Sequence, residues 1–382
     1  MVAGLNVGRE DNPLSPATCP RLVVKVGSAL LVAPDGTIRR DWLATLVADI
    51  AAAHAAGQQI AIVSSGAIAL GARRLKLPKG GRASLEDAQA AAATGQIALS
   101  QAWSDLLASH DLVAAQMLLT LDDLEDRRRY LNASATLDRL LSLRVVPVIN
   151  ENDSVATAEI RFGDNDRLAA RVGQAASAQG VLLLSDIDGL YTANPQRDPE
   201  ARFVERVQRI DATIFAMADG GTASGMGSGG MISKLQAAQI ANSAGTTLAI
   251  ASGHHDHALS RFVETGHGTV FLPERAKRAR KAWLAGRLRV TGNVQVDAGA
   301  AAALARGKSL LPAGATGVSG AFQRGDVIDV LGPDGRALAR GLAEYDAADA
   351  ARIVGQRSDR LAAILGYAPR AALIHCDHMV LL

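Results

Sequence analysis

An α/β fold is what this sequence predicts: an open, mainly parallel sheet sandwiched by helices, followed by a small, mostly-β domain. Three observations carry the prediction. From Arg21 to Leu272, short runs rich in Val, Ile and Leu alternate with longer Ala-rich stretches of helical character. Those runs are continuously apolar, as strands covered on both faces are, and strands that alternate with helices imply parallel pairing. Near Pro273 the pattern changes to short strands broken by Gly, such as "GDVIDVLGPDGRALARGLAEY".

Taken in order, residues 1–20 have no apolar h-region and read as an N-terminal tail. "RLVVKV" (21–26), "QIAIV" (59–63), "RVVPVI" (144–149), "GVLLLS" (180–185) and "TTLAIA" (246–251) read as buried strands. Between them "RDWLATLVADIAAAHAAG", "LEDAQAAAATGQIALSQAWSDLLASH", "RRRYLNASATLDRLLSL" and "ISKLQAAQIANSAG" read as helices, several closed by Gly. A first domain over 21–272 follows, then a linker over 273–286 within the basic run "PERAKRARKAW", and a second domain with its tail over 287–382.

The chain has 382 residues, 48% of them hydrophobic, 20% charged and only 3% aromatic, so the core is aliphatic and long enough for two domains. A net charge of +2 gives no general drive toward nucleic acid or an anionic membrane. Any polyanion must be held locally. Residues 287–382 hold 11 Lys/Arg against 9 Asp/Glu, which with few aromatics weakens an RNA-binding reading of the second domain. Cys19 and Cys376 lie at opposite ends of the chain and form no disulfide framework, and no apolar stretch approaches the ~18 residues of a membrane span. A cytoplasmic protein is expected.

In parallel sheets ligands sit beyond the carboxyl ends of the strands, which directs attention to the residues found there. The first strand carries Lys25 inside an apolar run, with Gly27-Ser28 just after it. A buried lysine is costly unless it meets an anion, although a lysine on an edge strand can snorkel to water. The second strand leads through Ser64, Ser65 and Gly66 into a helix, either as a plain cap or as a set of anion donors. The third opens "VINENDSVATAEIRFGDND" (148–166), with five acids and three asparagines where helix capping needs one or two. The fourth ends in Ser185-Asp186, before a turn at Asp188. Last comes "TASGMGSGGMISKLQAAQ", with G-x-G-x-x-G at Gly225, Gly227 and Gly230 and Lys234 in the following helix. The dinucleotide fingerprint requires a strand before the glycines and an acid about 20 residues later, and neither is present. A Walker A loop fails as well, for want of Gly-Lys-Ser/Thr. Exposed N–H groups, a helix start and a lysine remain, a combination that holds phosphate. Two lysines, two donor sets and a carboxylate cluster on one sheet edge suit phosphoryl transfer, where catalysis is positioning and electrostatics. No metal set is expected: "SGHHDH" (252–257) reads as a surface cluster.

From Leu22 to Tyr367 these pieces resemble the amino acid kinase family, most specifically in "VVKVGS", "VSSGAIALG", "QMLLT", "VVPVINENDSVATAEIRFGDND", "LLLSDIDGLYTANP" and "SGMGSGGMISKLQAA". The tail resembles a PUA domain. The resemblance implies an eight-stranded sheet between helical layers, ATP with Mg²⁺, and phosphorylation of the γ-carboxylate of L-glutamate to γ-glutamyl phosphate, the first step of proline biosynthesis, with proline as feedback inhibitor. It assigns Lys25 and Lys234 to the transferred phosphoryl group and Asp166 to orienting both. Ser65, Asn150, Asp153, Asp164 and Asn165 match the glutamate pocket. Gly27, Ser185, Asp186 and the segment Ser228, Gly229, Gly230, Met231, Ile232, Ser233 and Lys234 match the nucleotide site, with Ser185 where the motif often has Thr. A homo-oligomer, dimer or tetramer, and handover of product to γ-glutamyl phosphate reductase are further expectations. The competing readings are an RNA-binding or RNA-modifying protein led by the PUA-like domain and a catalytically silent proline sensor. The second of these would need neither lysine nor Asp166.

Overall fold

Strand β1 (Arg21–Val26) lies at the middle of an eight-stranded sheet whose order is β3-β4-β2-β1-β5-β9-β10-β8. The other strands are β2 (Gln59–Ser64), β3 (Ala114–Leu119), β4 (Val146–Glu151), β5 (Gly180–Ser185), β8 (Arg206–Val207), β9 (Thr247–Ser252) and β10 (Thr269–Phe271); β6 (Leu190–Tyr191) and β7 (Phe203–Val204) pair separately. The computed structural model describes residues 12–155, 165–218, 230–273, 290–367 and 369–382. It divides into two units, 1–125 with 133–276, and 126–132 with 277–382. Within the first sheet every described pair is parallel except β9 with β10. This is the mainly parallel, eight-stranded sheet expected.

Helices α1 (Ser28–Leu31), α2 (Arg40–Ala55), α3 (Ala67–Arg74), α4 (Leu85–Ala108), α7 (Asn165–Ala175), α9 (Met231–Ser243) and α10 (Ala258–Thr265) belong to the same unit, as does α5 (Leu121–Glu125); α6 (Arg127–Ser142) and α8 (Ala212–Ala218) complete the series in chain order. The chain builds β2, β3 and β4 on one side of β1, then crosses to place β5 and β9 on the other. Such a reversal opens a crevice at the carboxyl ends of the central strands, because helices on its two sides lead away in opposite directions. Lys25 stands on β1 at that point, in register with Val63 of β2 and Leu183 of β5. The core beneath is aliphatic, with Val24, Ile62, Val148, Leu182 and Ala249 from the strands against Leu46, Leu99 and Trp103 from the helices.

Two segments depart from the sequence reading. Strand β3 is an edge strand whose residues are half-buried or exposed, and its run, apolar but for Gln116, is one that the strand reading above leaves out. The expected tail over 1–20 is packed from residue 12 onward. Leu14 and Cys19 are fully buried, Gln58 Nε2 donates to Leu14 O (3.1 Å) and Cys19 O (2.7 Å), and Asn12 Nδ2 donates to Phe262 O (2.9 Å). A Cβ on Gly180 would lie 2.3 Å from Leu14 Cδ2, so the leader closes directly on the sheet. The predicted linker falls largely on residues outside those described.

The second unit is built on a five-stranded sheet in the order β12-β11-β13-β14-β15, from β11 (Gly292–Val296), β12 (Ala315–Gly320), β13 (Val327–Leu331), β14 (Ala337–Leu342) and β15 (Met379–Leu381). Only β11 and β13 pair in parallel. Its own core includes Val294, Phe322, Ile328, Val330, Tyr345 and Ile374. Among the described residues no helix is long and apolar enough to cross a membrane.

The segment after β2 is held by an unusually close pair of helices. A Cβ on Gly71 of α3 would lie 1.7 Å from Ala91 O, and one on Gly95 of α4 would lie 1.8 Å from Ala67 O. Only glycine lets these backbones touch at both points. Gly71→Ala and Gly95→Ala are each expected to destabilise by about 3 kcal/mol, the upper end for overpacking, since backbone rather than a mobile side chain must yield. Thermal melting checks this: a drop of roughly 6–12 °C is expected, and an unchanged Tm would show that the helices separate freely.

Candidate active site

Lys25, buried in β1, is balanced by Asp166. Its Nζ lies 2.6 Å from Asp166 Oδ1, while Lys234 Nζ donates to Asp166 Oδ2 at 2.9 Å. All three side chains are buried. Asp166 stands in the first turn of α7, where the helix dipole also favours an acid, and Lys234 stands in the first turns of α9. Helices α7 and α9 pack against each other, and α7 also rests on β1. Three segments far apart in sequence therefore meet at one carboxylate. Burial pushes the Asp166 carboxyl up, but the two ammonium groups outweigh burial and hold it at about 2.

Beside this bridge runs a chain of amides and hydroxyls. Asn165, buried next to Asp166, donates from Nδ2 to Ser65 Oγ (2.8 Å), Ser64 O (3.2 Å) and Asn150 Oδ1 (3.2 Å). Asn150 Nδ2 in turn donates to Gln96 Oε1 at 2.7 Å, and Trp103 Nε1 donates to Ser64 Oγ at 2.9 Å. Asn165 Oδ1 is buried and, among the described residues, has no hydrogen-bond partner. A buried acceptor left unmade costs free energy, so Asn165 Oδ1 calls for a donor beyond those of the described residues. Gly66 turns the chain out of β2 with φ at 107°, a left-handed conformation that glycine adopts without strain.

Asp153 shows the opposite electrostatics. Burial raises its carboxyl to about 6, with Arg82 pulling it partly back. At the next strand end Ser185 Oγ donates to Asp186 Oδ1 (2.9 Å), and His254 Nε2 lies 3.0 Å from Asp186 O. A Cβ built on Gly27 would lie 3.9 Å from Lys25 Nζ, so the backbone passes close to that ammonium group. Gly230 precedes helix α9 and gives it no side-chain cap, while Ser233 N donates to Gly230 O at 3.0 Å. Met231, Ile232 and Ser233 fill that first turn. Asp164, Ser228 and Gly229 lie outside the described residues.

The structure thus gathers Lys25, Gly27, Ser65, Asn150, Asp153, Asn165, Asp166 and Lys234 at the carboxyl edge of the sheet, with Ser185 at the end of β5 beside β1 and Asp186 just after it. Residues not singled out from the sequence join them: Gln96 and Trp103 in the amide chain, Arg82 acting on Asp153, and the buried Glu151 next to Asn150, while Ser64, noted with Ser65 from the sequence, accepts from Trp103. Gln96 carried no signal of its own, being one of three glutamines, with Gln89 and Gln101, in an uncharged stretch of α4. The histidines of 252–257 do not form a set, since His257 Nδ1 faces Asp49 Oδ1 at 2.8 Å while His254 faces Asp186.

Comparison with known proteins supplies independent findings. The profile of the amino acid kinase family matches residues 20–252, and that of the PUA domain matches residues 292–365. Glutamate 5-kinase of Sphingopyxis alaskensis is 68% identical over 367 residues, covering 96% of this chain and 99% of that protein. Glutamate 5-kinase of Novosphingobium aromaticivorans is 66% identical over 366 residues, 96% of this chain and 97% of that protein. The enzyme of the same name from Zymomonas mobilis is 62% identical over 367 residues, 96% of this chain and 92% of that protein.

Removing the shared carboxylate should be severe. Asp166→Ala leaves two buried ammonium groups facing each other, and breaking a buried ion pair by deleting one partner costs about 3–5 kcal/mol. Urea unfolding is expected to register that loss, and the double variant Asp166→Ala/Lys234→Met should recover part of it. A double variant no more stable than Asp166→Ala would show that repulsion between the lysines is not the cause.

Proposed function

The chain belongs to the amino acid kinase family, and from that premise we propose that it transfers the γ-phosphoryl group of ATP to the γ-carboxylate of L-glutamate, forming γ-glutamyl phosphate at the entry to proline biosynthesis. The observation that carries the mechanism is the buried bridge from Lys25 through Asp166 to Lys234. A carboxylate acceptor is already ionised at neutral pH, so its oxygen attacks the γ-phosphorus without a general base. The new O–P bond forms as the bond to the β–γ bridging oxygen breaks, and ADP leaves with that electron pair. What opposes the reaction is charge, since one anion must approach another. Two ammonium groups fixed near the transferred oxygens answer that difficulty without moving, which is how preorganised donors lower a barrier. Asp166, held at about 2, has no tendency to take a proton, which supports a positioning role.

Glutamate is placed with its ammonium group toward Asp153 and within reach of the Ser65, Asn150 and Asn165 network, with Asp164 assigned to the same pocket. The nucleotide is assigned to Gly27, Ser185, Asp186 and the segment Ser228–Lys234, whose described part offers the uncapped start of α9. Mg²⁺ is assigned to the nucleotide phosphates, where it keeps most of its waters and neutralises oxygens. Proline, a second small zwitterion that needs a carboxylate for its ammonium group, is proposed to compete for Asp153. The acyl phosphate product is labile, so prompt reduction downstream suits its chemistry.

The direct test mixes the protein with ATP, Mg²⁺, glutamate and hydroxylamine and looks for γ-glutamyl hydroxamate. Product that requires both ATP and glutamate is expected; a folded protein that forms none, or that prefers aspartate, would sink the reading. In the same assay Lys234→Ala should lose roughly a hundredfold in kcat at saturating substrates, about 3 kcal/mol, while its melting curve shows a folded protein. A folded variant within a factor of about three of wild type would contradict the transition-state role, because that is under ~0.7 kcal/mol of barrier.

The raised Asp153 carboxyl gives a pH signature. Below about pH 6 it is protonated and cannot balance an ammonium group, so KM for glutamate should rise as pH falls through that value. Asp153→Asn should raise KM, weaken proline inhibition and flatten that pH dependence together. The folded protein holds this proton more tightly than the unfolded chain, so ionising Asp153 costs stability above pH 6. At pH 8 the variant should therefore be at least as stable as wild type. Lower stability with an unchanged KM would make Asp153 a structural residue.

A further inference from the structure

The turn His375–Cys376–Asp377, in the second unit, brings three different metal-binding side chains together. A ring nitrogen of His375, Cys376 Sγ and an Asp377 carboxylate oxygen all lie within 4.8 Å of one another. The reason is local geometry. His375 precedes a single 3₁₀ turn (Cys376–His378) and caps it with its own ring, Asp377 N donating to His375 Nδ1 at 3.3 Å. The tight turn folds residue 377 back over residue 375, and His375 Nδ1 then lies 3.7 Å from Asp377 Oδ2. Both contacts are long, so neither commits the imidazole or the carboxylate strongly. The backbone that carries them is fastened on both sides. Leu310 bridges Ile374 just before the turn, Cys376 N donates to Ser309 Oγ at 2.9 Å, and β15 pairs with β14 just after it.

We propose that His375, Cys376 and Asp377 form a surface site for a borderline-soft divalent cation, Zn²⁺ by preference, with water completing a four-coordinate shell. Imidazole, thiolate and carboxylate are a donor set that selects Zn²⁺ over Mg²⁺, which takes oxygen ligands. In a tetrahedral zinc site neighbouring donors stand roughly 3.5 Å apart, given bond lengths of about 2.0–2.3 Å. The three donor atoms have at most 4.8 Å to close to that spacing, and His375 is exposed while Cys376 and Asp377 are partly exposed. Binding replaces the thiol proton, which passes to solvent, so affinity should rise with pH. Of the chain's 8 histidines and 2 cysteines, this four-residue run "HCDH" holds two and one. His378 is not counted as a ligand, because its Nδ1 faces the buried Glu344 Oε1 at 3.4 Å.

The cysteine content makes the test specific. Cys19 is fully buried and its thiol is pushed up to about 12 by burial, so it is silent toward alkylation and metal. Titrating the full chain with Co²⁺ should produce a near-ultraviolet thiolate-to-cobalt charge-transfer band saturating at one metal per chain and displaced by Zn²⁺. Cys376→Ser should abolish the band and His375→Ala should weaken binding at least tenfold, both with kinase turnover within twofold of wild type. Independently of any variant, Zn²⁺ should slow alkylation of Cys376 by iodoacetamide at least tenfold. A band that survives in Cys376→Ser, saturation at half a metal per chain, or Zn²⁺ with no effect on alkylation would each overturn a site built within one chain.

Discussion

One carboxylate facing two lysines is the constraint around which the first unit is arranged. Two ammonium groups within bonding distance of the same residue repel each other in a buried setting, and Asp166 accepts from both. A buried ion pair is weak evidence for stability, since desolvation offsets much of the attraction. Its value here is positional: one carboxylate fixes two ammonium groups at the place where the proposed reaction would put a phosphoryl group.

Holding that arrangement requires the whole sheet. Lys25 is fixed by a central strand with neighbours on both sides, so its backbone cannot shift without breaking two ladders. Asp166 and Lys234 come from the starts of two helices that pack on each other, and both are set near helix N-termini, where partial positive charge adds to that of the lysines. Ser65 leaves the strand beside β1, and its direction is set by Gly66 and by the touching backbones of α3 and α4. Each contribution is placed by secondary structure rather than by a loop. That suits a reaction in which the protein supplies position and charge and does little covalent chemistry of its own.

Much of this was legible because charge is costly in the interior. Lys25 inside an apolar run, and far more acids and amides over 148–166 than capping requires, are anomalies that only a site explains. Lys234 stood out by following a glycine-rich segment into a helix. What the sequence hid has a common cause: a contact with ordinary residue types carries no anomaly. Trp103 and Gln96 sit in an Ala-rich helix with normal periodicity, and nothing marks which groups they reach across the sheet. Strand β3 hid because its short run, broken by Gln116, follows the Ala-rich helix α4 after only a few residues, and the leader hid because Leu14 and Cys19 are scattered among prolines and serines. The turn at His375–Asp377 escaped for a different reason, since adjacent metal-binding residues converge only where the backbone is wound as tightly as it is there.

The opening stretch after β4 also divides labour between two carboxylates. Asp166 is held down at about 2 by lysines, and Asp153 is pushed up to about 6 by burial, thirteen positions away on the same sheet edge. Environments that separate two acids in this way usually separate their roles. Asp166 is charged at every physiological pH and so can serve as a permanent counter-ion for catalytic cations. Asp153 pays for its charge in desolvation, and a cationic group from the substrate is what would repay it. A carboxylate already paired within the fold would have nothing to gain from an incoming ammonium group. One raised by burial gains a great deal, and that is the physical basis on which Asp153 is proposed as the receptor for glutamate's ammonium group.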